Sequence, residues 1–291
     1  FDSGRGGDLL ITALNKLADT WGDALELHLV GHSAGAILLG HLLSAMAARG
    51  SAALVKSVHL YAPACTVAFA NRHYATQPAV MKRLHLDLLS DRVERADQVG
   101  MVYRKSLLYF VSNALEVDLR TPLLGMANAF DPAYGGWDGT SATGDALRAW
   151  REAAATAGLL GSQRLQRLDD DKVRVSTAPE RRIDAAHGSF DNDLDVVTRT
   201  IERITGAALA APPDDLPVVA VVDTGVDPKN KLLKPWLAGR ETYVLPGDTD
   251  YLHGSFVAGL VAGSRAINGG DTHFPAAQSR ILDIAALATA G

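Results

Sequence analysis

The chain has 291 residues, which at roughly 150 residues per domain predicts two domains, each long enough to bury a core. Hydrophobic residues make up 47% and charged residues 21% of the sequence, which is typical of globular proteins and excludes a disordered or fibrous chain. The net charge of −5 argues against nucleic acid as a partner, because no excess of basic side chains is available to neutralise phosphates.

The longest nearly uncharged apolar run, residues 34–48, is shorter than the ~20 residues that a membrane-spanning helix needs, so we expect no membrane span. The single cysteine, Cys65, excludes an internal disulfide and does not settle the compartment. The chain opens on Phe1 without a signal-peptide pattern and stops just after an apolar run. We therefore expect a segment of a longer protein.

Helix and strand patterns alternate through the first two thirds of the chain. Apolar residues at helical spacing in 10–21 predict an amphipathic helix, and the alternation in 25–29 predicts a strand followed by a long apolar helix. The weak, glycine-containing stretch 121–171 is interpreted as an insertion or cap. Further strands are predicted at 58–62, 84–88 and 173–175, and further helices at 107–115, 147–157 and 194–204. Strands separated by helices predict a mostly parallel α/β sheet.

The proline-rich stretch 206–217 predicts an exposed linker. After it, the apolar run 218–222 is typical of a parallel strand buried on both faces. A helical stripe at 256–261 and a strand-like run at 281–287 complete a second α/β segment that is too short for a whole domain. The sequence thus predicts two partial parallel-sheet domains, 1–205 and 218–291.

Residues 31–35 read Gly-His-Ser-Ala-Gly between a predicted strand and a predicted helix. In such a turn the Ser33 hydroxyl is pushed out of the strand end, and the strain leaves room only for small residues, here Gly31 and Gly35. The Ala34 amide then lies at a helix N-terminus, where it can donate to an oxyanion. A serine nucleophile needs a base within hydrogen-bond reach, and His187, which follows the last strand predicted in this half, is the candidate.

These residues resemble the α/β-hydrolase superfamily of esterases, lipases and related acyl hydrolases, over about residues 1–205. The resemblance implies Ser33 as nucleophile, His187 as general base and the Ala34 amide as an oxyanion donor, in the chain order serine, acid, histidine. The first strands of that family would precede this segment, so we expect an incomplete sheet with an unpaired edge and incomplete oxyanion support.

The acid is the open position of this resemblance. The family usually places it at the end of a strand, which here is Asp91 after the strand predicted at 84–88. Its role would be to hold the imidazole tautomer and stabilise the imidazolium. The alternatives are Asp97, Asp118 and Asp131.

A second pair of residues follows the linker. Asp223 stands where the strand predicted at 218–222 ends in a glycine turn, and His253 opens the sequence His-Gly-Ser-Phe-Val-Ala-Gly. Together they resemble the subtilisin-like serine peptidases, whose order is aspartate, histidine, serine. The resemblance implies that Asp223 orients His253 and that His253 is a general base. No serine motif of that family follows His253 in this sequence.

The two resemblances together imply a junction fragment of a two-domain serine hydrolase. Its substrates would be an ester or acyl compound at the first domain and a peptide or protein at the second, and this fragment alone would lack peptidase activity. No cofactor is implied. No metal site is predicted either, because His28 and His32 lie on a strand and a turn and share no helical face. The alternative is that 1–205 is a non-catalytic scaffold that recruits substrates for the peptidase.

Overall fold

The computed structural model describes residues 6–99, 103–134, 136–137, 141–175, 180–206, 218–223, 229, 237–242 and 280–285. The chain folds into two compact units. One contains the described parts of residues 29–175 and 180–197, and the other those of residues 6–28 and 198–285. The domains 1–205 and 218–291 stay a prediction, and their linker lies outside the described residues except for Gly206.

The main sheet has four strands in the order β1-β2-β3-β4. They are β1 (Leu27–His32), β2 (Val55–Tyr61), β3 (Leu84–Leu89) and β4 (Leu165–Leu168). β2 pairs in parallel with β3, with Val58 opposite Leu84, and β3 pairs in parallel with β4, with Leu86 opposite Leu165. The α/β class is therefore confirmed, because helical segments connect parallel strands.

The helices are α1 (Gly6–Trp21), α2 (Gly35–Ala48), α3 (Val67–Ala70), α4 (Pro78–Met81), α5 (Asp91–Ala96), α6 (Leu107–Phe110), α7 (Ser141–Thr156) and α8 (Leu194–Thr205). Local sequence explains where several of them begin. Thr66, Ser90 and Ser106 cap α3, α5 and α6 by accepting a backbone N–H three residues on. Wider π-type turns, Asn71–Ala75 and Val111–Leu115, continue α3 and α6.

The core of the first unit lies on its parallel sheet. Leu60, Leu86 and Leu88 from the central strands are fully buried, as are Tyr74 and Trp150 from the helical segments. The Tyr74 hydroxyl donates to the carbonyl of Ala36 at 2.5 Å, which fixes the first turn of α2. Within the described part of the chain, no helix is both long and apolar enough to cross a bilayer.

The stretch around residue 170 differs from the sequence prediction. β4 lies inside 121–171, so the interpretation of that stretch as an insertion is wrong for its last strand. The predicted strand at 173–175 exists as β5 (Lys172–Arg174), but it pairs antiparallel with β6 (Arg182–Asp184), and His187 follows β6. Short strands with several polar residues carry too little periodicity to be assigned to one sheet.

A second sheet follows the linker, in the order β7-β9-β8. Its strands are β7 (Val218–Asp223), β8 (Leu237–Thr242) and β9 (Arg280–Ala285), and both neighbouring pairs are parallel. The strands predicted from 218–222 and 281–287 are confirmed in these places. β8 was not predicted, and the helix predicted at 256–261 lies outside the described residues.

Candidate active site

Ser33 occupies a strained turn between the end of β1 and the start of α2. Its φ of 53° lies in the left-handed region, which costs a non-glycine residue about 1–2 kcal/mol. The turn is tied to the segment at the end of β2, because the Ser33 N–H donates to Tyr61 O at 2.9 Å and the Ser33 carbonyl accepts from the Ala64 N–H at 3.0 Å. Strain held by surrounding contacts is typical of a functional position.

The two glycines of the motif are not equivalent. A Cβ at Gly31 would lie 2.8 Å from Leu39 Cδ1 and 3.1 Å from the carbonyl carbon of Gly35, so a larger residue there would crowd both neighbours. A Cβ at Gly35 would meet no described atom within 4 Å. The expectation that both positions lack room is therefore right for Gly31 and wrong for Gly35.

His187 lies against the Ser33 hydroxyl, although 154 positions separate the two in the chain. Its Nε2 is 2.9 Å from Ser33 Oγ, and the residue is only 7% exposed. Burial, together with a smaller electrostatic effect of His32, lowers the pKa of His187 to about 4. The imidazole is therefore neutral at pH 7, the state in which Nε2 can accept the serine proton.

Asp97, which directly follows α5, contacts the backbone of His187. Its Oδ2 accepts the His187 N–H at 2.9 Å, while Oδ1 accepts the N–H of Gln98 at 2.7 Å. Of the described carboxylates, Asp97 is the one that hydrogen bonds to an atom of His187. The ring Nδ1 of His187 is buried and has no hydrogen-bond partner among the described residues. Asp97 therefore binds the backbone of His187, while the ring Nδ1 still lacks an acceptor in the described part of the chain.

Asp91, the acid preferred from the sequence, has other partners. Its carboxylate accepts from the hydroxyl of Tyr109 and, at 2.7 Å, from Asn128 Nδ2, and it lies 3.8 Å from Arg95. None of these bonds involves His187. The remaining alternatives serve local turns: Asp131 accepts the Ala133 N–H, and the Asp118 carbonyl accepts from Thr121.

The Ala34 amide lies at the start of α2, as predicted. The turn uses the amides of Ala36 and Ile37 for its own backbone hydrogen bonds, and the Ala34 amide has no partner among the described residues. A free amide at the N-terminus of a 14-residue helix can stabilise negative charge on a nearby oxygen.

For His32 the sequence predicts only that it does not form a metal pair with His28, and the structure places it in contact with His187. Its Nε2 is 2.9 Å from the His187 carbonyl oxygen, and the two ring centroids are 5.1 Å apart. Its ring also faces Phe190, with centroids 6.0 Å apart. The variable position before the serine of the motif carries no sequence signal for such a role.

The same unit contains a second serine–histidine pair. Ser44 Oγ lies 2.8 Å from His73 Nδ1, which is close to the Ser33–His187 distance. Ser44, however, lies in the interior of α2, where its backbone is helical and no free amide is adjacent. This pair has the hydrogen bond of a catalytic dyad without the turn or the oxyanion donor.

Asp223 and His253 are not brought together by any described feature. Asp223 is the last residue of β7 and stands opposite Ala285 of β9, which agrees with its predicted place at a strand end. Its side chain and the whole of His253 lie outside the described residues. Their roles stay a prediction.

No set of three or more histidine, cysteine or acidic side chains in the described ranges is arranged to hold a metal ion. Comparisons with protein-family models, with curated proteins and with solved structures gave no match. The resemblance to α/β-hydrolases therefore rests on the residues and geometry given above, and the resemblance to subtilisin-like peptidases rests on the sequence around Asp223 and His253.

Proposed function

We propose that this chain carries the nucleophile and base of a serine acyl hydrolase of the α/β-hydrolase type. The observation that carries the proposal is the 2.9 Å contact between Ser33 Oγ and His187 Nε2, made by a serine in a left-handed turn at a strand end. A serine hydroxyl is a weak nucleophile unless a neighbouring base removes its proton, and a neutral His187 can do so. The substrate would be an ester or another activated acyl compound.

In this mechanism Ser33 Oγ bonds to the substrate carbonyl carbon while its proton moves to His187 Nε2. The carbonyl oxygen becomes an oxyanion, to which the free Ala34 amide donates. The tetrahedral intermediate then breaks its bond to the alcohol, which leaves with the proton from His187. Water attacks the acyl-enzyme in the same way, gives its proton to Nε2 and releases the acid with Ser33 restored.

We propose Asp97 as the acid of this site. When His187 accepts the serine proton, its buried Nδ1–H needs an acceptor, because an unsatisfied buried donor costs about 1–3 kcal/mol. The hydrogen bond from the His187 amide to Asp97 supports this assignment, since it holds a carboxylate on the same residue. Asp91 is engaged by Tyr109 and Asn128 instead.

The test is labelling of the 291-residue chain with a fluorophosphonate, followed by mass spectrometry of the labelled peptide. We expect the probe on Ser33 and loss of labelling in Ser33→Ala and His187→Ala. Ser44→Ala is the matched control, because it removes a serine with an equally short contact to a histidine. Labelling that persists in Ser33→Ala, or that Ser44→Ala abolishes, would contradict the proposal.

For residues 218–291 we propose the N-terminal part of a subtilisin-like peptidase domain, with Asp223 and His253 in the roles given above. Support comes from the parallel pairing of β7, which ends at Asp223, with β9. The test is peptide hydrolysis by a version extended at its C-terminus, compared with its Asp223→Asn and His253→Ala variants. Equal peptidase activity in the extended protein and in both variants would contradict the roles of Asp223 and His253.

One observation favours the alternative, a first domain that recruits substrates without catalysis. His187 Nδ1 lacks a hydrogen-bond partner among the described residues, and a base without an oriented acid is weak. Turnover of p-nitrophenyl acetate separates the two functions. Hydrolysis that disappears in both Ser33→Ala and His187→Ala excludes the scaffold, and its absence from the parent chain favours it.

A further inference from the structure

We propose that His32 is the residue that positions the base, so that one turn carries both the nucleophile and the group that orients its histidine. The inference rests on the proposed function and assigns a role to a residue that acts through His187. It starts from the 2.9 Å contact between His32 Nε2 and the carbonyl oxygen of His187.

The chemistry of this contact fixes the proton on His32. A carbonyl oxygen can only accept, so Nε2 of His32 must carry hydrogen and donate it. The donor belongs to the residue directly before Ser33, whose turn is itself fixed by hydrogen bonds to Tyr61 and Ala64. The Ser33 hydroxyl and the His32 donor are therefore held in a fixed position relative to each other.

His187 is held through both of its backbone polar groups. Its N–H donates to Asp97 and its carbonyl accepts from His32, each at 2.9 Å. The short turn His187–Ser189 that carries it is closed by Ser189, whose hydroxyl donates to the Ala186 carbonyl at 2.9 Å. The ring contacts of His32 with His187 and Phe190 add packing to the hydrogen bond. With the backbone fixed in this way, Nε2 is kept at bonding distance from Ser33.

Position matters because a small displacement of a catalytic group lowers the rate far more than it lowers stability. Removing the His32 donor leaves the His187 carbonyl without this partner and leaves its turn free to shift. Ser33, His187 and Asp97 would all remain in the chain. The loss should therefore appear in the rate of acylation.

The test compares His32→Gln with His32→Phe. Glutamine places an Nε2 donor the same number of bonds from Cα, whereas phenylalanine keeps a planar ring without a donor. We expect the rate of fluorophosphonate labelling at Ser33 to fall about 10- to 100-fold in His32→Phe and to stay within about threefold of the parent in His32→Gln. An unchanged rate in His32→Phe, or an equal loss in both variants, would overturn the inference.

A second readout separates positioning from general damage to the fold. The electrostatic effect of His32 contributes to the lowered pKa of His187, so both variants should move the acid limb of the labelling rate to higher pH. Only His32→Phe should also lower the plateau. An acid limb that stays in place in both variants would contradict the contact.

Should His32→Phe fail to fold, the parent protein itself provides the test. Nitrogen-15 NMR of the labelled histidines, assigned with His32→Gln, should show His32 with a proton on Nε2. A His32 ring protonated only at Nδ1 would overturn the inference. A parent chain that is not labelled at Ser33 at all would instead contradict the proposed function, and the NMR result would still judge the contact.

Discussion

Helix α5 has a carboxylate at each end, Asp91 in its first turn and Asp97 directly after its last residue. Asp91 lies where the partial positive charge of a helix N-terminus stabilises an anion, and its oxygens bind Tyr109 and Asn128. Asp97 lies at the opposite end, where the helix dipole disfavours a negative charge, and its oxygen binds the His187 amide. A carboxylate that its own helix does not stabilise and that contacts His187 has the properties expected of the acid proposed above.

This contrast shows the limit of placing an acid by its position in the sequence. Asp91 lies two residues after the end of β3, where the resemblance to α/β-hydrolases places the acid, whereas Asp97 follows helix α5 and lies eight residues after β3. The structure separates them by partners: Asp91 connects α5 to the Tyr109 and Asn128 segments, whereas Asp97 connects α5 to His187.

Of the substitutions that test this comparison, the one that removes the charge of Asp97 should have the largest effect on activity. Asp97→Asn keeps an oxygen that can accept the His187 N–H, but it removes the anion that would stabilise the imidazolium. We expect kcat/KM for p-nitrophenyl acetate to fall roughly 10³- to 10⁴-fold. The matched variant is Asp91→Asn, which should leave kcat/KM within about threefold of the parent. Reversed results for the two variants would restore Asp91 as the acid.

The sequence could predict local features of this site and not its long-range contacts. The turn at Ser33 and the strand at β3 follow from the small-residue spacing and the apolar alternation around them. β4 was missed because Leu-Gln-Arg-Leu gives neither period, and its position depends on pairing with β3 from far along the chain. The choice of Asp97 depends on a contact across 90 positions, which no local pattern records.

Between the two carboxylates lies Glu94, which is fully buried. Burial raises its pKa to about 8, with smaller contributions from the charges of Asp97 and Asp91. Its Oε2 accepts from the Ser106 hydroxyl, which also caps α6, so a neutral Glu94 links α5 to α6.

The unfolded chain releases the Glu94 proton near pH 4.5, whereas the folded protein keeps it up to about pH 8. Between these two values the folded state therefore binds one proton more than the unfolded state. We therefore expect Glu94 to make the free energy of unfolding fall as the pH rises through this window, by at most about 5 kcal/mol, while the lowered pKa of His187 acts in the opposite direction below about pH 6.5. Chemical denaturation at several pH values measures it. Compared with the parent, Glu94→Gln should lose this contribution to the slope, and Glu152→Gln, at an exposed position of α7, should keep it. An unchanged slope in Glu94→Gln would show that Glu94 is ionised in the folded protein.

The smallest expected effect tests the structural role of Asp91 from the opposite side of its hydrogen bond. Tyr109→Phe removes the hydroxyl that donates to Asp91, while the 2.7 Å bond from Asn128 remains. We expect about 1.5 kcal/mol less stability in denaturant unfolding, because the bond to a charged acceptor is lost at a half-buried position. Tyr103→Phe is the control: that hydroxyl accepts from neutral Asn113, so its loss should lower the stability by less.

The rate of labelling at Ser33 should not change in either variant. A drop in that rate with Tyr109→Phe would mean that Asp91 also supports His187. The assignment of a structural role to Asp91 and a role at the site to Asp97 would then be wrong.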